Sequence, residues 1–234
     1  MRLPFEQFSA LSAIEICRHL FTQRIPGIDV SHDKAEVLER LDSAHREIRK
    51  VIGIGEWPLF TAEQVHGNKI AVFGVGTPRG VRSAQRANPT SHEFAACDGI
   101  ITNQRGIALG IYVADCCAVY IIDPETPAIG LVHSGRKGTE LGVVTNAIQE
   151  MIDRFGSDSA NMIVQLSPCI RPPHYEVDFA AEIIRQCRAL GIQKIHDSGI
   201  CTACNLDRYY SYRAEKGKTG RMLAVLELEL TNAN

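Results

Sequence analysis

The chain has 234 residues, of which 45% are hydrophobic and 22% charged, and a formal net charge of −2. This balance permits a buried core and supplies no basic field for a nucleic-acid backbone or an anionic membrane. No stretch approaches the ~18 apolar residues of a membrane span, and the amino-terminal "MRLPFEQFSALSAIEICRHL" lacks the unbroken apolar core of a secretory leader. Eight cysteines in such a chain read as reduced thiols rather than a disulfide framework, which points to a cytoplasmic protein.

In chain order, the first helical stripe is Leu38, Leu41, Ala44 or His45, Ile48 and Val51, entered after Ser31 and Asp33 as capping residues. Short β-rich runs follow at "LFTAEQV" and "KIAVFGV". "GTPRGVRSAQRANPTSHEF", Gly76 to Phe94, has almost no apolar periodicity and reads as a long surface loop. Further strands are expected at "GIITN", "IALGIYVADCCAVYIID", "AIGLVHS", "NMIVQLS" and "MLAVLELEL". Two more helical stripes lie between them: Leu141, Val144, Ile148, Met151 or Ile152 and Phe155, then Ile183, Ile184, Cys187 and Leu190, closed by Gly191. Successive strands with few intervening helices predict an α/β (α+β) fold, with mixed β-sheets in two layers and helices outside, formed by residues 1–234 as a single domain.

The chemistry-bearing residues sit at strand ends. His66 lies where an apolar run breaks at Gly67, and His133 lies at a similar boundary. In a regular strand Cys116 and Cys117 face opposite ways, so one of them is available to join the two imidazoles, while Asp115 shares the face of Cys117. Two histidines and a cysteine make a three-ligand set for zinc with a fourth position open for water or substrate. Taken singly, each has a plainer reading: a histidine before a glycine as a turn residue, a cysteine in an apolar strand as a small buried hydrophobe.

"HSGRKG" runs into a helix expected to begin near Thr139, so backbone N–H groups with Arg136, Lys137 and Gly138 form an anion site, or else a tight turn with solvated cations. "CTAC", Cys201 to Cys204, has the spacing of a zinc knuckle or redox pair, but without a second such pair it is expected to be structural or incidental. In "RYYSYRAEKGKTGRM", a hairpin would place Tyr210 and Tyr212 on one face, with Ser211 and Arg213 on the other, and Arg213 is the better site candidate.

"EQVHG", "CDGIITN", "GIALGIYVADCCAVYIID", "HSGRKG", "LSPCIRPPHYEV" and "YYSYRAEKGKTGRM" together resemble, in order from Glu63 to Met222, the laccase-domain or multicopper polyphenol oxidoreductase family, also called peptidoglycan editing factors or purine nucleoside phosphorylases. The resemblance implies an α/β/β/α sandwich of the cysteine-hydrolase-like type. It also implies metal ligation by His66, Cys116 and His133, which match the histidine, cysteine and histidine of the family's Q-V-H-G, T-A-D-C and H-A-G-W-R-G motifs. Cys117 and Ala118 depart from the variable residue and proline of the second motif, and Ser134, Arg136 and Lys137 from the third. The family's amino-terminal serine-leucine-asparagine stretch is not recognisable after "FTQRIPGIDV".

The activity so implied is zinc-dependent phosphorolysis of adenosine, inosine or methylthioadenosine and hydrolytic deamination of adenosine, with purine nucleoside and phosphate as partners. Zn2+ is the expected cofactor. Copper is possible as the ion, but eight histidines without a His-x-His pair disfavour a multicopper phenol oxidase. Cys116 and His133 are the expected catalytic residues, with Asp115 orienting the site through hydrogen bonds rather than binding metal, and with Arg136, Lys137, Gly138 and Arg213 holding phosphate or substrate. The alternatives are a cysteine hydrolase acting on cell-wall precursors, with Cys116 as nucleophile and His133 as base, and a non-catalytic metal-binding protein.

Overall fold

The structure is a computed structural model that describes residues 4–55, 57–74 and 92–229. Its strands are β1 Phe5–Glu6, β2 Cys17–Thr22, β3 Leu59–Ala62, β4 Ile70–Phe73, β5 Glu93–Phe94, β6 Gly99–Thr102, β7 Ala108–Val113, β8 Cys117–Asp123, β9 Ala128–Ser134, β10 Ile163–Leu166, β11 Lys194–Asp197 and β12 Met222–Leu228. The helices are α1 Ser9–Ser12, α2 Lys34–Val51, α3 Arg136–Glu140, α4 Val143–Phe155 and α5 Phe179–Ala189.

Two mixed six-stranded sheets result, ordered β1-β2-β12-β7-β3-β5 and β11-β10-β8-β9-β6-β4. Strand alternation decides which side chains fill each layer. From β8, Ala118, Tyr120 and Ile122 join Ala224 and Leu226 of β12 in the core between the sheets. Cys117, Val119 and Ile121 point the other way, into a second core beneath α4 and α5. Leu223 and Val225 of β12 meet Val37, Leu41 and Ile48 of α2 on the outer face of the first sheet. The order is therefore helix, sheet, sheet, helices, and strands buried on both faces read as continuous apolar runs rather than alternating ones.

The expected helices are present with shifted edges. Asp33 caps α2 by accepting from the Glu36 N–H, and the buried stripe takes Val37, while Val51 is 59% exposed. Gly191 ends α5 with φ +90, a conformation that glycine adopts without strain. Strands β2 and β11 are additions. The first lies in the charged amino-terminal segment, and the second is a polar edge strand paired only with β10. Of the Gly76–Phe94 loop, residues 76–91 lie outside the described residues, and Glu93–Phe94 form β5.

The run Ile107–Asp123 is not one strand. It breaks at Ala114–Cys116, where Asp115 takes φ +84, and the chain leaves β7 in the first sheet to enter β8 in the second. The pairing partners differ accordingly: β7 binds β12 and β3, whereas β8 binds β9 and β10. A left-handed residue reverses the side-chain alternation, so the expectation that Asp115 shares the face of Cys117 fails. The tyrosine hairpin is also absent. Residues 206–208 and 212–217 form turns, and Tyr210 is buried while Tyr212 is 55% exposed.

Two core histidines are held neutral. His45 in α2 is buried beside Tyr112 with neither ring nitrogen hydrogen-bonded, and His19 in β2 accepts the Phe8 N–H on Nε2 at 2.7 Å. Burial lowers each to about 4. The unfolded chain protonates first, near ~6.5, so stability falls with decreasing pH between that value and about 4, by up to about 1.4 kcal/mol per pH unit for each histidine. In urea denaturation, His45→Leu is expected to gain on the wild type as pH drops from ~7 to ~5; a gap independent of pH would contradict this account.

Candidate metal centre and pocket

Three crossings between the sheets build the site: β3 to β4, β5 to β6, which carries Asp98, and β7 to β8. His66 lies where the chain passes from β3 in the first sheet to β4 in the second, and Cys116 lies in the β7–β8 crossing. His133 is the penultimate residue of β9. Their ligand atoms all lie within 4.8 Å of one another. Cys116 Sγ is 3.9 Å from His66 Nε2, and the two imidazoles meet edge to face with centroids 4.8 Å apart.

Local hydrogen bonds make this geometry. Gln64 takes φ 65 and His66 φ 60, so β3 cannot continue. The Gln64 amide instead pairs with the Tyr112 backbone, donating to its carbonyl at 2.6 Å and accepting its N–H at 3.0 Å. Asp98, fully buried, then organises both histidines. Its Oδ1 accepts from the His66 N–H at 2.8 Å and bonds His133 Nδ1 at 2.9 Å, and its Oδ2 accepts the Gly67 N–H at 2.7 Å. With Nδ1 committed to a carboxylate, His133 presents Nε2 to Cys116, the arrangement that fixes the tautomer of a metal-ligating histidine. Asp98 was missed in the sequence reading, although an acid just before the apolar "GIIT" of β6 was its signal.

Gly135 supplies the space. A Cβ there would come within 2.6 Å of Cys116 Sγ, so any larger residue would displace the sulfur. Gly138 packs in a similar way, with an added Cβ 3.3 Å from the Gly67 carbonyl oxygen. Helix α3 begins at Arg136, not near Thr139. Lys137 is exposed and does not line the cavity, while Arg136 is engaged by Glu140 at 2.9 Å and Glu176 at 3.4 Å.

The cluster opens into a pocket of about 750 Å³, within the range of small-molecule sites. Tyr175, Phe179 and Tyr212 contribute aromatic wall, and Lys34, Arg136, Arg213, Lys216 and Arg221 contribute cations. Arg213 sits 4.9 Å from the Tyr175 ring centroid and 3.4 Å from Glu176. Arg221 donates to the Thr219 and Gly220 carbonyls at 2.8 and 2.9 Å and has no carboxylate partner among the described residues. Asp115 also lines the pocket, but both its oxygens are committed, accepting from Thr202 Oγ1 and from the Arg213 N–H at 2.7 Å each. It fastens two wall segments beside Cys116.

Burial opposes charge on Cys116, but His133 and His66 outweigh it and bring the thiol down to about 6. His133 likewise overcomes burial through Cys116 and Asp98 and rises to about 9. Two imidazole nitrogens and a thiolate fit a zinc ion, and the borderline-soft donors also accept copper.

In protein stripped with a chelator, alkylation of Cys116 should rise with pH through about 6, because the thiolate is the reactive form. Burial lifts Cys17, Cys97 and Cys187 to about 12, so peptide mass spectrometry separates them; a Cys116 midpoint near an ordinary ~8.5 would refute the pairing. Asp98→Asn removes the charge that orients both histidines and is expected to weaken zinc binding by about 10–100-fold with circular dichroism unchanged.

A family model described as multi-copper polyphenol oxidoreductase laccase matches residues 19–184 and 177–229. A purine nucleoside phosphorylase of Corynebacterium glutamicum is 26% identical over 245 residues, covering 90% of this chain and 94% of that protein. The purine nucleoside phosphorylase YlmD of Bacillus subtilis is 26% identical over 199 residues, covering 72% of this chain and 70% of its own. The crystal structure of YlmD from Geobacillus stearothermophilus superposes with a TM-score of 0.79 at 20% identity, covering 98% of this chain and all of that one, which shows the shared fold. The two-sheet sandwich, the ordered motifs and a family match spanning most of the chain have one reading: this protein belongs to the multi-copper polyphenol oxidoreductase laccase family.

Proposed function

We propose that the chain is a zinc-dependent purine nucleoside phosphorylase that also deaminates adenosine by hydrolysis. The observation that carries the proposal is the convergence of His66, Cys116 and His133 at a pocket with both aromatic and cationic walls. The names of the relatives support the phosphorylase reading. Each metal-capable cluster among the described residues offers three ligands, which does not suit a multicopper oxidase.

A zinc ion held by His66, Cys116 and His133 would supply Lewis acidity toward an oxygen of substrate or water. The remaining roles belong to the side chains. Tyr175, Phe179 and Tyr212 give a planar purine surfaces to stack on. Arg221, without a carboxylate partner among the described residues, holds phosphate toward the ribose C1′, with Arg213 at the rim. A phosphate oxygen then bonds to C1′ as the glycosidic C–N bond breaks, and the electron pair leaves with the purine. Desolvation disfavours charge on Arg221, and an arriving dianion relieves that cost. Among the cations, Arg221 is thus better suited than Arg136 or Lys137, the two expected from the motif.

A second reading draws on one specific array: Cys116, His133 and Asp98 stand in the order of a nucleophile, base and orienting acid. Accessibility of the thiol separates the two. A zinc-bound sulfur resists iodoacetamide until the ion is removed, whereas a hydrolase nucleophile reacts at once.

Zinc-loaded protein incubated with adenosine and phosphate should yield adenine and ribose 1-phosphate, with inosine from deamination, and His66→Ala should fall to background. Arg221→Met should raise the KM for phosphate by about ten- to a hundredfold, the effect of losing one charge-assisted contact. No product above the His66→Ala level would end the proposal.

A further inference from the structure

A second set of soft donors lies across the wall of the pocket. His174, in the loop after β10, and the two cysteines of "CTAC", Cys201 and Cys204, bring their ligand atoms within 4.8 Å of one another. His174 Nδ1 faces both sulfurs, 3.3 Å from Cys204 Sγ and 4.0 Å from Cys201 Sγ. The two segments are already laced together: the Cys169 N–H donates to the Ile200 carbonyl and the Thr202 N–H to the Cys169 carbonyl, each at 3.2 Å. Asn205 Nδ2 closes the turn onto the Cys201 carbonyl at 2.9 Å.

We infer that His174, Cys201 and Cys204 form a second zinc site, separate from the first, that clips together two segments of the pocket wall. The two-residue gap places both sulfurs on one side of a tight turn, and the histidine arrives from a distant segment, so metal binding closes a loop between them. Binding displaces the two thiol protons and uses the Nδ1 lone pair of a neutral imidazole. Two thiolates then balance the divalent charge, a donor set that favours zinc over hard cations. Cys201 is buried, whereas His174 and Cys204 are exposed, which leaves a path for the ion and directs the remaining coordination position to solvent.

The position of the cluster gives it a consequence for the pocket. Thr202, next to Cys201, donates to Asp115, whose backbone carbonyl accepts the Ile170 N–H at 2.8 Å and whose carboxylate holds the Arg213 N–H. Tyr175, next to His174, lines the same pocket. A clip here holds the wall that presents Ile170, Tyr175 and Arg213.

The test is zinc stoichiometry by elemental analysis of reduced, zinc-saturated and desalted protein. Wild type should carry one equivalent more than Cys204→Ser, whose side chain is exposed and whose fold is checked by circular dichroism. His66→Ala, which weakens the first site, should retain the second equivalent, and zinc should still raise its melting temperature. His66→Ala/Cys204→Ser should lose that rise. A Cys204→Ser variant that keeps the wild-type zinc content, or a His66→Ala variant that binds no zinc, would overturn the assignment. So would peptide mapping of reduced protein that finds Cys201 and Cys204 joined as a disulfide even with zinc present. None of these readouts depends on catalysis, so failure of the phosphorylase assay leaves the assignment standing.

Discussion

The carboxylate of Asp98 is the point on which the site depends. Buried without access to solvent, it would be costly to ionise, yet its pKa is lowered because the cost of burial is outweighed by His133 and by the backbone N–H groups of Gly67 and His66. One group thus sets the tautomer of one imidazole and the left-handed path of the segment carrying the other. The charge distribution follows from it: Asp98 supports positive charge on His133, and His133 in turn supports the thiolate of Cys116. Removing the first member of such a chain weakens every later one.

The second constraint is topological. His66 and Cys116 are far apart in sequence and meet because two of the chain's changes of sheet place them at the same end of the sandwich. At each change a non-glycine residue accepts a positive φ, and at each the strain is offset by hydrogen bonds. Around His66 these come from Gln64 and Asp98, and around Asp115 from Thr202, Ile170 and Arg213. Gly135 completes the arrangement by withholding a side chain beside the sulfur.

Much of this was legible in the sequence. Apolar strands with a histidine at each broken end, and one accessible cysteine between them, predicted a shared centre, and the stripes of α2, α4 and α5 were visible as periodicity. Other features follow from contacts that periodicity does not encode. The run Ile107–Asp123 is uniformly apolar on both sides of Asp115 because each half is buried on both faces, so nothing in its pattern marks the change of sheet. The pairing of the Gln64 side chain with the Tyr112 backbone, and of Asp98 with residues 32 and 35 positions away, are tertiary facts. Tyr210 and Tyr212 looked like an alternating strand, but the turn chemistry of residues 206–208 and 212–217 prevailed.

The change of sheet at Asp115 has a mechanical corollary. Deeper in the sandwich the two layers are pinned by the Tyr120 hydroxyl, which reaches from β8 across to the Leu20 carbonyl of β2 at 2.7 Å. At the mouth, the chain crossings and the His66–Cys116–His133 cluster play the corresponding part, so an ion seated there would act as a rivet through both layers.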